Sequence, residues 1–236
     1  MDNITLNIIA FNIFENLRAN IGDDDSISID QIKDEIHSVR AMQLKQKFDK
    51  APLYIDSTFS QTLGPIEIEQ VDSSIVTGVP AGKFMYRTKR DIPQTVERKH
   101  QEGTFLRIGP ADRLNEKYHL VSYARALKSG NGRFNRDTIY VFIADERIYI
   151  ISNGELHGEV QRIDIIGIFQ NPRDVALFKD SNGDSLYSDD ARYPISRSIV
   201  PDLEKIVLDR IKSQIAPPAD EVNNSRDDIK NEGRRR

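Results

Sequence analysis

The clearest hydrophobic pattern lies at the two ends of the chain, and at both it is helical. Over residues 28–48 the sequence reads SIDQIKDEIHSVRAMQLKQKF. Ile32, Ile36 and Val39 recur there at helical spacing, and Ala41, Leu44 and Phe48 widen the apolar stripe. Ser28 is a favourable N-cap, and Gln31, three residues on, is placed to complete a capping box. Ile27 and Ile32 straddle the cap as a hydrophobic staple. Asp30 and Asp34 near the start, with Arg40, Lys45 and Lys47 toward the end, suit the helix dipole. The preceding segment, ITLNIIAFNIFENLRAN, puts Leu6, Ile9, Ala10, Ile13 and Leu17 on one face, with Ile4, Ile8 and Phe11 beside them. It predicts another helix, joined to the first through IGDDDSIS with Gly22 as helix C-cap. In SIVPDLEKIVLDRIKSQI, far along the chain, Ile199, Leu203, Ile206, Val207, Ile211 and Ile215 form a further stripe. Pro201 stands in its first turn and Pro217 and Pro218 close it. Apolar faces of this kind have to be buried, which predicts a small helical bundle made by both chain ends.

From Asp49 the period shortens. Ile66 and Ile68 alternate with Glu67 and Glu69, the signature of a half-solvated strand. Strands are also predicted over 83–87, after the turn at Val79, Pro80, Ala81 and Gly82, and over 104–108, 118–123 and 160–169. The strongest strand signal is DTIYVFIADERIYIIS at 137–152, two apolar runs reversing around Ala144, Asp145 and Glu146. Residues 172–178 read as a short helix and 180–190 as a polar loop. The predicted class is therefore α+β. Residues 1–48 and 171–216 form the helical bundle, 49–170 a large antiparallel β-rich insertion, and 217–236 a disordered, apolar-poor tail.

Composition narrows the chemistry. A formal charge of −4 argues against a general nucleic-acid binder, and the absence of cysteine removes disulfides, thiolate metal sites and cysteine nucleophiles. The first segment is too short and too often interrupted by charges and amides to cross a bilayer, and it lacks the cationic start of a signal peptide. Asp180, Asn182 and Asp184 resemble the start of a calcium loop. However, the turn glycine, Gly183, falls at the fourth position, and Ala191 stands where the bidentate glutamate belongs, so a solvated turn is the better reading. His37, His100, His119 and His157 lack metal-ligand spacing, and no nucleophile elbow, Walker loop or dinucleotide fingerprint is present. Neither a catalytic constellation nor a cofactor or metal is expected. One basic segment stands out: Lys83, Arg87, Lys89, Arg90, Arg98 and Lys99 against Asp91 and Glu97. It suits a phosphate-facing loop, a loop docking on an acidic protein, or a plain solvated hairpin.

The hairpin NIFENLRANIGDDDSISIDQIKDEIHSVRAMQLKQKF, the segment GIFQNPRDVALF and the closing YPISRSIVPDLEKIVLDRIKSQIAPPADEVNN resemble a known family. They are similar to phage head-to-tail connector proteins, the adaptor or ring proteins of short-tailed, crAss-like phages, and more distantly to the tail-tube adaptor of T7-like phages. The resemblance covers the chain outside about 50–165 and rests on packing and capping patterns. It implies a virion structural protein, made in the host cytoplasm, that forms a homo-oligomeric ring of twelve copies. Such a ring meets the portal protein on one side and the next ring or tail protein on the other. It extends the channel through which packaged DNA passes without sequence-specific binding, and it needs neither a membrane nor catalysis. The resemblance also makes the tail, with Pro217, Pro218, Arg226, Arg234, Arg235 and Arg236, a candidate contact with the portal or a neighbouring subunit. Without the resemblance, the residues leave open a nucleic-acid-binding module using 83–99.

Overall fold

Helical capping and apolar spacing produce helices α1 (Leu6–Arg18), α2 (Ile29–Lys50), the short α3 (Tyr123–Ala126) and α4 (Val200–Ile215). The computed structural model describes residues 4–19, 27–50, 56–72, 75, 84–98, 104–128, 138–152, 156, 160–180 and 182–215. Thr5 caps α1, its hydroxyl accepting the Ile8 N–H at 3.2 Å. The capping box of α2 closes in both directions. The Gln31 N–H donates to Ser28 Oγ at 3.2 Å, and the Ser28 N–H donates to Gln31 Oε1 at 3.1 Å. Helix α1 buries Leu6, Ile9, Ala10, Ile13 and Leu17, and α4 buries Leu203, Val207 and Ile211. Helices α1, α2 and α4 each pack against the other two, so the two chain ends do meet. Ile8 and Phe11 depart from expectation. They lie on the side of α1 opposite the buried stripe and are 48% and 57% exposed. Gly22, expected to cap α1, falls outside the described residues.

Alternation builds the sheet. Strands β1 (Gln61–Val71), β2 (Phe84–Thr88), β3 (Phe105–Pro110), β4 (His119–Leu120), β5 (Tyr140–Ala144), β6 (Arg147–Ser152) and β7 (Arg162–Gly167) run in the order β3-β7-β1-β2-β6-β5-β4. Every pairing is antiparallel except β4 with β5. The long strand β1 serves two partners. Its first part, from Gln61 to Glu67, pairs with β7, and its last, from Ile68 to Val71, pairs with β2. The register of β1 shifts between Thr62 and Pro65, where Gly64 adopts φ +67°. The strand expected over 118–123 is cut to two residues. The carbonyl of Ser122 accepts the N–H groups of Arg125 and Ala126 and starts α3 instead.

The β5–β6 hairpin turns on Asp145 and Glu146, with φ +48° and +59°. Positive φ at both central residues is the geometry of a two-residue hairpin turn, which favours glycine at the second position. Glu146→Gly is therefore expected to raise stability by about 1 kcal/mol, because a side chain in left-handed backbone costs about that much. The measurement is the urea midpoint at unchanged m-value.

Helices and sheet share their largest apolar cluster, in which Ile13, Ile36 and Val207 join Ile66, Ile150, Ile163 and Ile165. Two polar devices fasten this joint. At the surface, Arg173, on the 3-10 helix Pro172–Leu177, reaches Asp34 at 3.3 Å and Asp189 at 3.4 Å, and Lys33 of α2 meets Asp189 at 2.8 Å. Inside, Arg40 is 1% exposed. Its Nε donates to the Pro194 carbonyl at 2.8 Å, Nη1 to that of Phe169 at 2.9 Å and Nη2 to that of Phe59 at 3.2 Å. The guanidinium also lies 5.7 Å from the centre of the Tyr193 ring. Arg40 thus does not act as a solvated charge complementing the helix dipole. It ties α2 to three separate stretches of backbone, and its burial pushes its pKa down.

One turn earlier, His37 Nδ1 lies 2.9 Å from the Tyr193 hydroxyl. Burial, with the positive charges of Arg173 and Arg40 adding to it, pushes this imidazole from 6.5 down to about 4. The fold therefore holds His37 neutral while the unfolded chain binds a proton more readily. Its contribution is present above pH 6.5 and is lost as pH falls from 6.5 toward 4, up to about 3 kcal/mol. Urea titrations at pH 7 and pH 4.5 measure this loss. His37→Gln, which cannot titrate, should show a visibly smaller difference between the two pH values than the parent chain; an equal difference would assign the acid sensitivity to other groups.

Candidate interaction surface

The basic segment is distributed along β2 and the turn beyond it. Alternation on β1 buries Ile66 and Ile68 and turns Glu67 and Glu69 outward, Glu69 opposite Arg87 of β2 and Glu67 beside Lys89, just past the end of β2. Arg87 pairs with Glu69 at 2.6 Å, and Lys89 with Glu67 at 2.9 Å. Lys89 holds the Glu67 carboxyl below the usual carboxylate range, and Glu67 holds the Lys89 amine above its ordinary value. Arg162 adds a weaker contact to Glu67 at 3.9 Å. The two cations at the centre of the segment are thus matched by carboxylates on the neighbouring strand, which reduces the free positive charge offered to a phosphate backbone. Arg90 differs. It is exposed, donates weakly to the Leu177 carbonyl at 3.5 Å, and forms no ion pair among the described residues. Arg98 is half-buried beside Glu97, while Lys83 and Lys99 fall outside the described residues. Pro217, Pro218, Arg226, Arg234, Arg235 and Arg236 also fall outside them.

Beyond β2 the chain crosses the sheet through Ile92, Pro93 and Gln94, held where the Ile92 N–H donates to the Glu146 carbonyl at 2.6 Å. An open cleft lies on each side of this crossing. The first, of about 490 Å³, is lined by Thr95, Arg98, Phe105, Ile143 and Gln170. The other, of about 540 Å³, lies between Arg90, Ile92 and Pro93 on one wall and Asp174, Leu177 and Phe178 on the other. Its apolar lip is unusual: Leu177 is 75% exposed at the end of the 3-10 helix. Partial burial in the cleft raises the pKa of Asp174. The cleft combines apolar surface at Pro93 and the exposed Leu177 with charges of both signs, Lys89, Arg90 and Arg147 against Asp91, Glu146 and Asp174, and its lining holds no nucleophile paired with a base.

The other candidate chemistry is structural. Asp180 Oδ1 accepts the N–H groups of Asn182 and Asp184 at 2.8 and 2.9 Å, and Gly183 supplies φ +90°, so this carboxylate closes its own turn. His37 is enclosed by the helix–sheet joint, His119 is exposed on β4, and His100 and His157 fall outside the described residues. Among the described residues no group of three or more acidic or histidine side chains is placed to hold a metal ion. No helix among them is long and apolar enough to cross a membrane. Sequence reading missed two features of this surface. The apolar pattern sets Ile8 and Phe11 beside the core stripe, whereas their angular position on α1 puts them on the side opposite it. The exposed Leu177 ends a six-residue helix, too short to show a period.

Comparison with known proteins gives a family for the chain. A family model described as phage tail ring protein 2, of the crAss-like phage ring type, matches residues 9–229. No curated protein matches the chain.

Proposed function

The chain belongs to the phage tail ring protein 2 family, and from that premise we propose that it is a structural subunit of the head–tail connector, forming a ring of twelve copies between portal and tail. The ring holds its place in the virion by protein contacts alone and extends the channel for the packaged DNA. The observation that carries this reading is the extent of the family match, which spans helices and sheet together over residues 9–229. A formal charge of −4 suits a channel through which DNA passes without being held, since like charge repels phosphate. Ring closure uses heterologous contacts, one face of a subunit meeting a different face of the next. The tail beyond residue 215 reaches the portal or the neighbouring subunit, and no step of the role requires catalysis.

Mass photometry of the purified chain mixed with the portal protein of the same phage tests this. The expected result is a gain equal to twelve chains of 26.9 kDa each, reduced when residues 216–236 are deleted. A gain that survives the deletion would keep the ring and remove the role of the tail. No association with the portal, together with salt-sensitive binding to bare duplex DNA, would overturn the connector reading in favour of the basic segment.

A further inference from the structure

The outward face of α1 carries Ile8, Phe11 and Glu15, spaced three and four residues apart and therefore in one row. Ile8 and Phe11 are about half exposed although the opposite face of the same helix is fully buried. The Glu15 carboxylate forms no ion pair among the described residues. The cleft beside Pro93 presents a matching set: an exposed Leu177 beside Pro93, over the buried Ile92 and Phe178, with Arg90 touching the Leu177 carbonyl at its edge. Glu146 and Asp174 also line it, but its other cations are already engaged, Lys89 with Glu67 and Arg147 with Asp91, which leaves Arg90 to meet an incoming carboxylate. Phe11 and Glu15 are one helical turn apart, about 6 Å along the axis, which suits the side-by-side placement of Leu177 and Arg90.

We propose that these two surfaces are the two sides of one subunit–subunit contact, in which the Ile8–Phe11 row of one copy enters the Leu177 cleft of the next and Glu15 pairs with Arg90. The occupant of the cleft is a second copy of this chain. The contact rests on the ring reading above and supplies what that reading leaves unspecified, the two unlike patches a closing ring must join. The apolar part contributes affinity through desolvation, and the Glu15–Arg90 pair fixes register and direction. Both patches are on the same chain yet differ in shape and charge, so copies add head to tail.

The chain contains no cysteine, which makes the test direct. Phe11→Cys and Leu177→Cys are prepared as separate full-length variants. Both positions are exposed, so neither change should disturb folding. The two are mixed, assembled with the portal protein, and treated with a short bismaleimide cross-linker. The expected product is a linked pair of chains from the mixture and almost none from either variant alone. In parallel, Glu15→Arg and Arg90→Glu should each weaken ring formation about tenfold, and a chain carrying both should recover it. Rings that assemble normally, with no cross-link in the mixture and no loss on charge reversal, would overturn this contact and leave the ring reading standing. Failure of the unmodified chain to form any ring would remove the ring reading, and this contact with it.

Discussion

Arg40→Ala is expected to destabilise the protein by about 3–5 kcal/mol, from buried acceptors left unsatisfied and a cavity left behind. The guanidinium uses all three of its nitrogens on main-chain carbonyls, those of Pro194, Phe169 and Phe59, so the substitution leaves three buried acceptors without a donor. Each such group costs about 1–3 kcal/mol, and the lost side-chain volume adds a cavity. Arg40→Met separates these effects. It restores most of the volume and none of the donors, so it should recover only the packing share. Arg40→Lys keeps a charge but replaces a planar fork with a single ammonium, which cannot span three diverging carbonyls. Urea unfolding at constant m-value ranks the series, with Ala least stable and neither Met nor Lys restoring the parent midpoint. An Arg40→Met midpoint equal to that of the parent would show that packing, and not the fork of hydrogen bonds, holds the joint.

Phe169→Ala is expected to cost about 3–5 kcal/mol as well, by a different route. The ring is fully buried in the cluster shared by helices and sheet. It lies just beyond β7, and its backbone bridges to Thr95 while its carbonyl accepts from Arg40. Truncation to the methyl opens a cavity at the place where β7 hands the chain to the 3-10 helix Pro172–Leu177. Because Arg40 grips the backbone of the same residue, the two substitutions share a partner, and their combination should cost clearly less than the sum of the singles. Strict additivity, measured by the same urea series, would mean that the two side chains support independent parts of the fold.

The helices were legible because their apolar residues are periodic and their caps are local. Ser28 and Gln31 lie three residues apart in sequence and close their box in the structure as the spacing predicts. The β5–β6 hairpin was legible for the same reason, with two apolar runs around two turn residues. What stayed hidden depends on partners distant in sequence. Arg40 falls four residues after Ile36, in line with the apolar stripe of α2, and that position was a clue. The carbonyls that make its burial tolerable, however, come from residues 19, 129 and 154 positions away. The shared strand β1 was equally invisible, since nothing local states that its halves pair with β7 and β2. At the candidate surface, Arg87 and Lys89 could be read as free basic charge until β1 set Glu69 and Glu67 beside them. The family relation emerged from both ends of the chain, where packing and capping patterns are densest, and the family match extends across the sheet as well.

Electron cryomicroscopy of the full-length chain bound to the portal protein of the same phage tests the ring assignment most directly. The account predicts a closed ring of twelve identical copies stacked on the portal, with a continuous axial channel wide enough for duplex DNA. Isolated copies scattered on the portal without mutual contact, or density for this chain only along the DNA, would contradict it.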